Sequence, residues 1–194
     1  MEIIGHRGAR GLAKENTTES IKVAMEYKVD MIEVDVRMQG TKIVLSHDAA
    51  LITEEYTTLQ NALDTVKGQI PINLEIKETK VIKRLKPIIE NYKGKILFSS
   101  KQYSILKQLS KSYPNIELAI IEKWSGVRAV AEASLLDTNR VHINHNWLWS
   151  GFVNSMKQQG YNLYAYTVNN LERAQELESW GVDGIFTDYP DRFR

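Results

Sequence analysis

The sequence contains no cysteine. That excludes disulfides, thiolate metal sites and cysteine nucleophiles, and it fits a reducing compartment. Nor is there an excess of either charge: 25 basic and 24 acidic residues leave a formal net charge of +1. A nucleic-acid binder shows a basic excess or stripe. The densest basic run here, Lys77 to Lys86, is broken by Glu78, and its outer part reads as the solvated face of a helix. No apolar run approaches the roughly 20 residues that cross a bilayer. The first apolar segment begins at Ile3-Ile4 with no basic stretch ahead of it, so a signal peptide is not expected. Linkers rich in Ser, Gly or Pro, low-complexity tracts and exact repeats are also missing. These absences predict one cytoplasmic domain spanning residues 1–194.

What is present is an alternation of short apolar strands and amphipathic helices. Strands are expected at Ile3–Arg7, Met31–Arg37, Lys42–His47, Pro71–Lys77, Ile96–Ser99, Glu117–Glu122, Arg140–Asn144, Asn162–Val168 and Gly184–Thr187. Helices are expected over Thr18–Lys28, Leu59–Lys67, Lys80–Tyr92, Gln102–Ser112, Gly126–Leu136, Gly151–Gln159 and Leu171–Trp180. Gly94, Gly160 and Gly181 follow helical patterns, where a left-handed residue ends a helix. Pro87 is expected to kink the third helix.

Such alternation implies a parallel sheet with helical crossovers. The exception is the gap Met38-Gln39-Gly40-Thr41, too short for a crossover, which makes the second and third strands an antiparallel hairpin. Setting the hairpin strand aside leaves eight strands, the number for an α/β fold of the (β/α)8 TIM-barrel type. The barrel is small against the typical chain of about 250 residues. With only Tyr189–Arg194 left after Asp188, the eighth helix is expected to be vestigial or absent. An open doubly wound sheet lacks support, because Gly5-His6-Arg7-Gly8 is too short to be a dinucleotide or Walker-A loop.

The informative residues are charges inside strands. In Ile32-Glu33-Val34-Asp35-Val36-Arg37 the apolar residues share one face, and Glu33, Asp35 and Arg37 share the other. Ile72-Asn73-Leu74-Glu75-Ile76-Lys77 repeats the pattern. A parallel strand buried on both faces normally reads as continuously apolar. Unpaired charges there would each cost several kcal/mol. Two readings follow. One is a structural network pairing the carboxylates with Arg37 and Lys77. The other is a divalent cation on Glu33, Asp35 and Glu75, whose hard oxygens favour Mg2+ or Ca2+ over Zn2+. His6 and His47 lie at strand ends, and barrel geometry brings such ends to one rim. Two imidazoles beside such a cluster can serve as general acid and base.

At this point the chain resembles the glycerophosphodiester phosphodiesterases, within the wider phospholipase-C-like phosphodiesterases. The matching pieces are His6-Arg7-Gly8, Glu15-Asn16-Thr17, Glu33-Val34-Asp35, His47-Asp48, Leu74-Glu75-Ile76-Lys77, Ser99-Ser100, Tyr166-Thr167-Val168-Asn169 and Gly181–Asp188. The resemblance implies a (β/α)8 barrel that uses a divalent cation to hydrolyse glycerophosphodiesters to glycerol 3-phosphate and an alcohol. It implies metal ligands Glu33, Asp35 and Glu75, an acid–base pair His6 and His47, and phosphate contacts from Arg7 and Lys77. Asn16 is then a loop-organising residue near the site. The implied partner is a small phosphodiester, with no nucleic acid, no stable membrane anchor and no particular oligomeric state.

Two departures stand out. Only Ala49–Leu74 separates His47-Asp48 from Glu75, so the insertion usual in the family, which lies over the site, is reduced. Tyr166 stands where the family usually has Trp. The shortened cap keeps open a lysophospholipase-D-like activity on longer lipids. A barrel that binds ligand without catalysis is the remaining alternative, opposed by the intact histidines and carboxylates. His145, at the end of the sixth barrel strand, reads as a structural or substrate-edge residue, and Asp188 as structural. Trp124, Trp147, Trp149 and Tyr166 read equally well as an apolar wall for substrate or as a closure of the barrel top.

Overall fold

The computed structural model describes residues 1–194. Its strands are β1 (Glu2–Gly5), β2 (Met31–Gln39), β3 (Lys42–Leu45), β4 (Ile72–Ile76), β5 (Ile96–Ser100), β6 (Glu117–Glu122), β7 (Arg140–Asn144), β8 (Asn162–Tyr166) and β9 (Gly184–Thr187). The helices are α1 (Thr18–Glu26), α2 (Leu59–Val66), α3 (Thr79–Ile89), α4 (Tyr103–Ser112), α5 (Gly126–Leu136), α6 (Ser150–Gln158) and α7 (Leu171–Ser179). The sheet order is β1-β9-β8-β7-β6-β5-β4-β2-β3, and β1 also pairs with β2. Eight parallel strands therefore close into a barrel. β3 lies outside it, antiparallel to β2, with Val36 opposite Leu45. The expected TIM barrel and hairpin are both present. A single 3-10 turn, Pro190–Arg192, takes the place of an eighth helix.

The alternation read from the sequence becomes two cores. Ile32, Val34, Val36, Ile72, Leu74 and Ile76 are fully buried in the outer core, between sheet and helices. Inside the barrel a small cluster of Ile4, Met31, Leu97, Ala119, Tyr164 and Phe186 fills the N-terminal part. Arg140 lies over the Tyr164 ring at 3.6 Å, and His142 packs edge-on against Tyr164 and Phe186. Burial, with the Arg140 charge added, drives the His142 imidazole well below its usual value, and His142 forms part of the floor of the cavity above this cluster. This cluster fills the barrel interior below the C-terminal mouth.

Two local expectations, on strand ends and on Gly94, need correction. Strand pairing stops earlier than the hydrophobic pattern suggests, so His6, Arg7, His47 and Lys77 sit on the first loop residues after β1, β3 and β4. Pro87 lies in the last turn of α3 without ending it. Its ring is on the exposed face, where the carbonyl it leaves unbonded can meet water. Gly160 and Gly181 do take left-handed conformations, but Gly94 does not. It is kept small instead by the Tyr92 ring, which a side chain on Gly94 would meet at 2.5–2.6 Å.

Candidate active site

The turn after β1 is built by its glycines. Gly8 has φ +80°, and a Cβ there would lie 2.6 Å from the Ser20 backbone carbon. The Gly8 amide donates to the Glu33 carbonyl at 3.1 Å. The turn thereby pulls Arg7, itself at φ +51°, against β2. The Arg7 amide then donates to Glu33 Oε2 at 2.8 Å. Gly8→Ala is expected to lower stability by about 2–4 kcal/mol. Urea unfolding at neutral pH measures this, and an unchanged midpoint would show that the turn can relax.

Glu33, Asp35 and Glu75 are all buried, and one oxygen from each lies within 4.8 Å of the others. Their surroundings differ. Asp35 Oδ2 accepts from Asn16 Nδ2 at 3.0 Å, and Asn16 Oδ1 takes the Asp35 amide at 3.0 Å. Asn16 reaches this position in a left-handed conformation at φ +58°. Arg7 Nε stands 3.1 Å from Asp35 Oδ2, Lys77 Nζ is 2.7 Å from Oδ1, and His47 Nδ1 is 3.3 Å from Oδ2. Burial opposes the Asp35 charge, yet His47, Lys77 and Arg7 hold its carboxyl far below the usual range. Lys77 also bonds Glu75 Oε1. Burial opposes its ammonium too, but Glu75 and Asp35 keep it charged above its usual value.

Glu33 is the exception. The cations in reach bind mainly Asp35, Glu75 and Glu15. Glu33 Oε2 has the Arg7 amide, and Oε1 is buried with no partner. Burial and the Asp35 and Glu75 charges push the Glu33 carboxyl well above its usual value. An orphaned buried oxygen among three carboxylates is what a cation site provides. The donor set is all hard oxygen and can hold a divalent metal ion.

The histidines flank this cluster. His6 Nδ1 is 2.7 Å from Asp188 Oδ1, and Asp188 Oδ2 accepts from Asn169 Nδ2 at 2.8 Å. The Asp188 amide donates to Asn169 Oδ1 at 2.9 Å. Burial raises the Asp188 carboxyl, but His6 and Asn169 outweigh it and hold it below its ordinary value. Asp188 therefore orients an imidazole, a function that the sequence reading gave only as structural. The signal lay in the topology, since β1 and β9 are neighbours in a closed barrel. Arg7 Nη1 donates to Glu15 at 2.9 Å and Nε stands 3.1 Å from Asp35 Oδ2 without a hydrogen bond, which leaves Nη2 without a protein partner.

His6, Arg7, Glu33, His47 and Glu75 line one cavity of about 320 Å3, with Asn73, Lys101, Asn144 and Tyr166 among the other walls. Arg37 is not among them. It runs past the barrel rim, where its Nε donates to the His47 carbonyl at 3.0 Å and Nη1 stands 3.8 Å from Glu78. The structural pairing of Arg37 with the carboxylate cluster is thereby excluded. His145 has an unpartnered Nδ1 and lies outside this cavity. A wider cleft of about 940 Å3 at the opposite end of the barrel includes Glu117 and Asp137 but no histidine, lysine or arginine.

This geometry has known counterparts. The model of the glycerophosphoryl diester phosphodiesterase family matches residues 6–67 and 46–192. YhdW of Bacillus subtilis, whose name places it among the glycerophosphodiester phosphodiesterases, is 30% identical over 98% of this chain and 96% of its own. That alignment spans 232 positions, more than the 194 residues here, so YhdW carries segments that this chain lacks. The glycerophosphodiester phosphodiesterase of Caldanaerobacter subterraneus subsp. tengcongensis is 24% identical over 97% of this chain and 94% of its own. Among solved structures, an Oleispira antarctica phosphodiesterase in complex with the product sn-glycerol-3-phosphate superposes with a TM-score of 0.92. It is 24% identical and covers 99% of this chain and 94% of its own. The chain belongs to the glycerophosphoryl diester phosphodiesterase family.

Proposed function

We propose that this enzyme, a phosphoric diester hydrolase, cleaves a small glycerophosphodiester to glycerol 3-phosphate and an alcohol with the help of one divalent cation, Mg2+ or Ca2+. The observation that carries the reading is the buried, unpartnered Glu33 Oε1 beside Asp35 and Glu75, under two histidines on one rim. Glu33, Asp35 and Glu75 would hold the ion. Bound there, it supplies a Lewis acid that withdraws charge from the phosphoryl oxygens.

The chain's own residues do the rest. Arg7 Nη2 and the Lys77 ammonium bind the phosphate and offset its developing charge. His6 is steadied through Nδ1 by Asp188, which leaves Nε2 for the cavity. His47 stands across the same cluster against Asp35. One imidazole takes the proton from the attacking hydroxyl, which belongs to water or to the substrate's own glycerol. The other gives a proton to the alkoxide that leaves phosphorus. Tyr166, whose hydroxyl donates to the Glu122 carbonyl at 2.9 Å, fixes the far wall of the cavity. The outer core running continuously round the barrel supports treating residues 1–194 as one domain. No helix is long and apolar enough to cross a membrane.

The test is turnover of glycerophosphocholine and glycerophosphoethanolamine by purified protein, with added Mg2+ or Ca2+ and after EDTA treatment. Metal-dependent release of glycerol 3-phosphate is the expected result. Full activity after chelation, or no cleavage of either diester, overturns the reading.

A further inference from the structure

The exposed apolar side chains are not spread evenly. Of ten large ones, only Tyr27 and Leu135 lie at the N-terminal end of the barrel, each at the C-terminal end of a helix. The others stand on the loops and helix starts around the mouth. The densest group is on the loops after β6 and β7. Trp124 is 59% exposed, Trp147 51% and Trp149 63%, with Val127 beside them at the start of α5. Trp124 and Trp147 meet edge to face at 6.2 Å. The Lys123 ammonium lies 4.0 Å over the Trp124 ring.

Charge on this arc is one-sided. The four consecutive loops after β5, β6, β7 and β8 are Lys101-Gln102, Lys123-Trp124-Ser125, His145–Trp149 and Thr167–Asn170. None contains Asp or Glu, and two carry an exposed lysine. Glu122, the carboxylate next to this arc, is turned inward, accepting from the Lys123 and Trp124 amides and from Arg128. The acidic residues of the other mouth loops, Glu15, Asp48, Glu54, Glu55, Glu78, Asp188 and Asp191, lie outside this arc, and Glu172 borders it at the start of α7.

A water-soluble diester reaching a 320 Å3 cavity has no use for three solvent-facing indoles outside it. Indoles flanked by lysine are the side chains that settle at the headgroup level of a lipid surface. We propose that this arc of the mouth adsorbs reversibly on phospholipid surfaces, with Trp124, Trp147 and Trp149 entering the headgroup layer and Lys101 and Lys123 meeting its phosphates. Adsorption turns the catalytic mouth toward diesters held in that surface. The reduced cap is consistent with this, because a long insertion over the mouth would hold the arc away from a flat surface.

The proposal rests on the phosphodiesterase reading only for which end of the barrel is catalytic. The test uses the full, metal-loaded chain and vesicles of equal parts phosphatidylcholine and phosphatidylglycerol. The wild type is expected to cosediment with them. Its tryptophan emission shifts to shorter wavelength and is quenched by lipids brominated on the acyl chains. The variant combining Trp124→Ser, Trp147→Ser and Trp149→Ser is expected to lose partitioning by about tenfold or more, while soluble glycerophosphocholine is turned over within about twofold of wild type. Should that variant not fold, Lys123→Glu is expected to weaken binding to the same vesicles and not to uncharged detergent micelles. Wild-type protein left in the supernatant overturns the proposal, as does a tryptophan variant that partitions normally. A dimer that hides the same indoles, seen by sedimentation velocity with vesicles present, also overturns it. Failure to cleave the soluble diester bears on the phosphodiesterase reading alone.

Discussion

His6→Ala and His47→Ala are each expected to lower kcat by about 10^2- to 10^4-fold, the range for loss of one general acid or base. His47 is partly exposed, so His47→Ala should move stability little, whereas His6→Ala also takes a partner from the largely buried Asp188 and should cost some stability. The two sites differ in their support. His6 is held by Asp188, itself fixed twice by Asn169, whereas His47 approaches Asp35, which three other groups also contact. Asp188→Asn separates positioning from structure. It keeps the shape but replaces the carboxylate that orients the His6 ring through Nδ1. Its kcat should fall by less than that of His6→Ala, roughly 10- to 100-fold, with KM nearly constant. Restoring the carboxylate with Asp188→Glu should recover part of the lost kcat, whereas a purely structural Asp188 would leave the kcat of the folded Asn variant unchanged. Near wild-type rates in both alanine variants would sink the acid–base assignment.

The residues that were legible in the sequence are those that break a strand's own rule. Glu33, Asp35 and Glu75 stand out because alternation puts a charge where a barrel strand should be apolar. His6 and His47 carry no such mark. They become site residues only when eight strand ends are brought to one rim. Asp188 and Asn16 were underread for a related reason. Their function is a hydrogen bond across the closure of the sheet, or across a left-handed loop, and neither leaves a periodicity in the chain. Arg37 shows the opposite error. Sharing a face with Glu33 and Asp35 did not bring it to them, because a strand that outlasts the barrel carries its last residues beyond the rim. Glu33 and Asp35, two residues apart on one face, end with opposite shifts. Nothing in the sequence could separate them, because the difference depends on where Lys77, Arg7 and His47 finally point.

That difference leads to the largest expected reversal. In EDTA, Glu33→Gln should be more stable than the wild type at neutral pH, by about 1–3 kcal/mol, because it removes a buried charge whose Oε1 has no partner. Glutamine can still accept from the Arg7 amide, and its amide hydrogens can face Asp35 and Glu75. The pH dependence follows from the direction of the shift. Glu33 binds its proton more tightly in the folded chain than in the unfolded one. Between the ordinary carboxylate value and the raised one the folded state holds the extra proton, so stability falls as pH rises through that window. The advantage of the variant should therefore be small below about pH 4 and grow above it. Asp35 acts in the opposite sense: its stabilisation is present above the ordinary value and fades as pH falls toward the lowered one. Asp35 is common to both proteins and to first order cancels from the comparison. Saturating divalent metal should invert the ranking. The wild type gains about 2.7 kcal/mol at a hundredfold excess over Kd. The variant, short of one hard ligand, should lose about 10^2-fold in affinity and gain far less. Thermal unfolding of both proteins across pH, with EDTA and then with Mg2+ or Ca2+, reads both halves. Equal metal affinity would remove Glu33 from the ligand set. A variant less stable than wild type at every pH would mean that the Glu33 charge is compensated in the folded chain by groups other than a metal.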